Sequence, residues 1–119
     1  MYLISLIILA PMYCLPTDYT EFTVTAYNTV GWQTDSTPCI SASGDNICGR
    51  DSVVACPSKY PFGTKFFIDG KEYECLDRTS SKYGARLDIS FDKDIEGAKR
   101  WGKQIKKVII KLWEQLNLD

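Results

Sequence analysis

Residues 21–27 (EFTVTAY) alternate polar and apolar side chains and are rich in β-formers, the mark of a strand with one buried face. Residues 53–56 (VVAC) form a short strand candidate cut by Pro57. The Tyr60-Pro61-Phe62-Gly63 turn re-enters a strand over 64–68, and Asp69-Gly70 then signals a tight hairpin. The return strand covers 73–76 and leads into Asp77. A polar Thr-Ser-Ser-Lys-Tyr-Gly loop joins it to a further strand over 86–91 (RLDISF). Residues 92–101 carry a short helical pattern with Ile95, Ala98 and Trp101 on one side and Gly102 as its stop, and Asp92, Asp94 and Glu96 read as first-turn acids that complement the helix dipole. Residues 105–112 interleave lysines with branched apolar residues and close the series as a strand. The tail, residues 113–119, extends no pattern.

Two segments break this rhythm. Residues 28–52 are dense in Asn, Gly, Asp, Ser, Thr and Pro and form a long irregular connection, a length that compact domains keep only when it is stapled or functional. The leader MYLISLIILAPMYCLP carries no charged side chain and falls short of the ~20 apolar residues of a comfortable membrane span. It reads as a secretory signal peptide over 1–16, with a short uncleaved anchor or a misplaced start as rivals. One domain over 17–119 is what the length of 119 residues allows. Several short strands and one brief helix point to a mainly β fold, a small barrel or sandwich, and closure into a barrel would remove exposed sheet edges.

Composition narrows the chemistry. The chain is 45% apolar and 24% charged with a formal net charge of -1, so it can pack a core, and its dispersed lysines make no nucleic-acid footprint. Histidine is absent, which removes Ser-His-Asp and Cys-His catalysis and every His-ligated zinc site. Acid–base work falls to carboxylates. Of five cysteines, Cys14 lies in the leader, while Cys39, Cys48, Cys56 and Cys75 form an even set that reads as two disulfides in any of three pairings. Free buried thiols and a metal site are the rival readings, the latter weakened by the lack of any C-x-x-C pair. No metal or cofactor is expected.

Asp77 and Asp88 stand at neighbouring strands, where a sheet could hold two carboxylates at one cleft, the simplest equipment for glycoside chemistry. The plain alternative for Asp77 is a strand-end cap paired with Arg78. Asp88 sits between Leu87 and Ile89, which suggests a desolvated position. Tyr27 and Trp32 suit either sugar stacking or packing, Trp101 reads as core, and Ser43-Gly44 as a backbone turn beside the cleft.

In order, TAY at 25–27, SASG at 41–44, VA at 54–55, PFGTK at 61–65, LDR at 76–78, RLDISF at 86–91 and AKRWG at 98–102 resemble the three-aspartate (3D) domain. That double-psi β-barrel family includes the catalytic domain of membrane-bound lytic transglycosylase A, and the RlpA-like and expansin-type barrels are similar. The match spans residues 22–112. It implies a six-stranded, disulfide-stapled double-psi barrel with one short helix, acting as a monomer, secreted or in the cell envelope, with peptidoglycan glycan strands as partner. By resemblance Asp88 is the catalytic acid/base and Asp77 its neighbour; Tyr27, Ser43, Gly44 and Arg78 are the candidates for binding substrate beside them. The family's first aspartate precedes the proline, and there this chain has Cys56. A non-catalytic, expansin-like or glycan-binding module is the alternative that this departure raises.

Overall fold

The computed structural model describes residues 19–31 and 37–111. The leader with Cys14, Trp32 and the tail lie outside the described residues. Among the described residues the elements are six strands, β1 Thr20–Tyr27, β2 Val53–Cys56, β3 Lys65–Ile68, β4 Lys71–Arg78, β5 Arg86–Ser90 and β6 Gln104–Lys111, with one α-helix, α1 Ile95–Trp101, and a 3-10 turn at Ser81–Tyr83. The strands close into a barrel in the order β1-β5-β2-β4-β3-β6. The sheet is mixed: β1 runs parallel to β5 and β2 parallel to β4, while the other pairs are antiparallel. Only β3 and β4 are neighbours both in sequence and in the barrel; each of the other four connections, β1–β2, β2–β3, β4–β5 and β5–β6, passes one strand inserted between those it joins.

Alternation along each strand fills the interior. Phe22, Val24, Val54, Cys56, Phe66, Ile68, Cys75, Leu87, Ile89 and Val108 form one core, all buried. Phe22, Tyr60 and Phe66 pack edge to face or tilted, with ring centroids 5.4–6.2 Å apart. Each such side chain contributes roughly 1.5–3 kcal/mol on burial, so a barrel this small is held by about ten residues and needs further support. The disulfide Cys56–Cys75 supplies it inside the core, bridging the parallel strands β2 and β4, and Cys39–Cys48 closes a short loop in the long connection. Of the three pairings open to the four cysteines, this is the one adopted.

The hairpin at Asp69-Gly70 has both turn residues at positive φ, 52° and 79°, which matches the twist of the flanking strands so well that Ile68 pairs directly with Lys71. The return strand therefore begins two residues earlier than residue 73. Helix α1 in turn begins later than residue 92. Asp94 caps it by accepting from the Gly97 amide at 2.9 Å, and Gly102 ends it at φ 66°. Asp92 is no helix acid: it sits at φ 50° and its carboxylate accepts from Thr29 Oγ1 at 2.6 Å and from the Gly49 amide at 3.0 Å. It clasps the β5–α1 turn to the long connection. Trp101 packs on Phe91 against the core and donates Nε1 to the Val24 carbonyl at 3.1 Å, as its core reading requires.

The described part of the connection between β1 and β2 lies on the outside of the barrel. It places Ile47, fully buried, against Val53 and Leu76, with Tyr27 packed alongside. This second, smaller cluster covers one side of the outer face next to the two aspartates.

Candidate active site

One transverse row crosses four strands. Thr25 of β1 is in register with Asp88 of β5, Asp88 with Ala55 of β2, and Ala55 with Asp77 of β4. Paired residues in a sheet point to the same face, and here that face is outward, since Leu87, Ile89, Val54 and Cys56 on either side turn into the core. The two carboxylates thus flank a methyl side chain, with two interstrand spacings, on the order of 9–10 Å, between their backbones.

Asp77 reaches this face through a bulge. Val54 pairs with Cys75, but Ala55 pairs with Asp77, so Leu76 is an extra residue on β4. Strict alternation from the inward Cys75 would send Asp77 inward too. Leu76, outward by alternation, joins the small cluster, and the bulge re-aims Asp77 into the row with Asp88. Asp77 then accepts three hydrogen bonds, each 3.0 Å: from Tyr27 Oη, from the Ala42 amide and from the Arg78 amide. Burial, with the Asp77 charge adding to it, pushes the Tyr27 phenol far above its ordinary range, so it remains a protonated donor.

Asp88 is held differently. Thr25 Oγ1 donates to its Oδ1 at 3.0 Å. Burial pushes its carboxyl up to about 6; the Asp77 charge adds a little, while the Thr25 hydrogen bond and the Arg86 charge pull the other way. The pair therefore has unequal environments: one carboxylate is saturated with donors, the other is desolvated and half-satisfied.

The remaining sequence candidates fall at varying distances from this row. Ser43 donates its amide to the Leu76 carbonyl at 3.2 Å and its hydroxyl shares a hydrogen with Ser41 at 2.8 Å; with Gly44 at φ 91° it forms the turn that presents the Ala42 amide to Asp77. Arg78 points the other way. Its Nη1 donates to the Tyr60 carbonyl at 2.6 Å and the Pro57 carbonyl at 3.2 Å, lies 3.3 Å from Cys56 Sγ, and the guanidinium stacks on Phe62 at 3.8 Å. It braces the end of the barrel and touches Asp77 only through its backbone amide. Thr25, Ala42, Ser90 and Arg86 share the outer face or its edge and were not singled out by sequence. Thr25 and Arg86 lie an even number of residues from Tyr27 and Asp88, so strand parity carried that information, whereas the Ala42 contact is a backbone one that no side-chain pattern could signal.

Among the described residues no three His, Cys, Asp or Glu side chains converge as metal ligands, and no helix is long and apolar enough to cross a membrane. The chemistry open to the row is proton transfer by Asp88 with Asp77 as a fixed acceptor beside it. Compared with known families and curated proteins, the chain matches no family model and no curated sequence.

Proposed function

We propose that this chain is a double-psi barrel of the three-aspartate type that cleaves peptidoglycan glycan strands by intramolecular transglycosylation, with Asp88 as the single acid/base. The interlocked connections around β5 and β2 support the fold assignment, and two disulfides fit a secreted or cell-envelope protein. The observation that carries the reading is the Asp88 carboxyl, raised to about 6 on an outward face beside Asp77. Such a group is partly protonated near neutrality, where an ordinary aspartate at ~3.9 is not.

In this scheme protonated Asp88 gives its proton to the glycosidic oxygen as the anomeric C–O bond breaks. The resulting carboxylate then takes the proton of the muramic acid C6 hydroxyl as that oxygen bonds to the anomeric carbon. The product is a 1,6-anhydro sugar, water is not consumed, and Asp88 ends as it began. Asp77, fixed by Tyr27 and two amides, orients the sugar and keeps a negative charge near the oxocarbenium-like centre.

A second reading has a specific observation behind it. Cys56, at the position of the family's first carboxylate, is committed to the Cys75 disulfide, which favours a glycan-binding module that works without cleavage. Incubation with purified sacculi followed by mass spectrometry separates the two. Anhydro-muropeptides released by the wild type and lost in Asp88→Asn support the enzyme; retention on sacculi without any product supports the binder.

A further inference from the structure

The outer face continues past Asp88 along β5 to Arg86, two residues away and therefore on the same side of the strand. The Ser81–Tyr83 turn, closed by Gly84 at φ 65°, sets the Tyr83 ring against this side chain, with the guanidinium carbon 3.9 Å from the ring centroid. Tyr83 is 47% exposed, so the stack stands at the surface. Among the described residues no carboxylate lies within 4.0 Å of the Arg86 guanidinium. Its charge nonetheless acts on Asp88, which puts it within electrostatic reach of the acid. Arg78, the other stacked guanidinium beside this region, is used up on loop carbonyls. Arg86 is not.

We propose that Arg86 reads a free carboxylate on the bound saccharide, so that this face prefers an acidic glycan over its neutral counterpart. The proposal rests on the glycan reading of the Asp77–Asp88 face. Stacking on Tyr83 fixes the plane of the guanidinium and leaves its fork of donors free for a bidentate partner. A neutral sugar laid over it would strip water from a cation and return no counter-charge, an unfavourable exchange. An acidic sugar placed elsewhere on the face would meet two carboxylates. On the Arg86 side of Asp88 the face offers a compensating charge.

The test uses the full chain carrying Asp88→Asn, so that the ligand stays intact. Two probes are titrated calorimetrically: a tetrasaccharide of alternating N-acetylglucosamine and N-acetylmuramic acid with free lactyl carboxylates, and the same tetrasaccharide with those groups as methylamides. The free acid should bind about five- to twentyfold more tightly than the amide, the range of a charge-assisted pair at a partly exposed site. Adding Arg86→Gln should erase that preference, and Arg86→Lys should restore part of it. Equal affinity for acid and amide, or a preference that survives Arg86→Gln, overturns the role of Arg86 while leaving the glycan reading of the face standing. Binding of neither saccharide overturns both.

Discussion

Thr25 donates its hydroxyl to Asp88 at 3.0 Å across the parallel β1–β5 register, and this bond is a brake on a carboxyl that burial drives upward. Thr25→Val keeps the shape and removes the donor. Asp88 should then titrate above the wild-type value, because the charged form loses the Thr25 hydrogen bond that favours it. Thermal melts followed against pH would register it. The pH at which stability stops falling should move upward in Thr25→Val relative to wild type.

The sign of that pH dependence follows from the raised carboxyl. Asp88 has a folded value of about 6 against an unfolded value near the model 3.8, so between those limits the native state binds more protons than the unfolded chain. Stability from this group is present at acid pH and is lost as pH rises through about 6, by up to about 3 kcal/mol. Asp88→Asn removes the ionisable group. It should melt several degrees above wild type at about pH 7.5 and show no such gain near pH 4. The equivalent difference curve for Asp51→Asn should slope the opposite way, because Lys71 holds the Asp51 carboxyl below its usual range.

Removing the core disulfide should have a larger effect on the fold than removing the loop one. Cys56 and Cys75 are 19 residues apart and both fully buried. Chain-entropy arguments give about 3 kcal/mol for a closed loop of that size, and Cys56→Ala with Cys75→Ala leaves a void as well, for a total of about 3–5 kcal/mol. Cys39–Cys48, with a separation of 9, should cost about 2–3 kcal/mol on the same basis. Urea unfolding of the two double variants would rank them.

Much of the architecture was legible from periodicity. The alternation in residues 21–27 and 86–91, the Asp-Gly turn and the Gly102 stop all correspond to elements in the barrel, because each records burial on one face or a backbone angle few residues adopt. The closed order of the strands was not legible, since pairing partners are set by tertiary register. Asp92 was misread as a helix acid because its left-handed backbone and its distant partners, Thr29 and Gly49, leave no local trace. The site was half visible. Parity along β5 marks Asp88 as outward, but the same counting on β4 fails at Leu76, and the bulge that brings Asp77 alongside depends on β2. Arg78 had the right chemistry in the wrong direction: one residue past the outward Asp77, its side chain turns to the barrel end.

The central claim is that Asp88, in a sheet position beside Asp77, titrates well above an ordinary aspartate and so stays partly protonated near neutrality, and site-resolved carbon NMR of the Asp88 carboxyl through a pH titration, assigned by its loss in Asp88→Asn, measures that directly. A midpoint at about 6 is the predicted result. A midpoint near the ordinary ~3.9 of a solvated aspartate would contradict it and remove the acid from the proposed reaction.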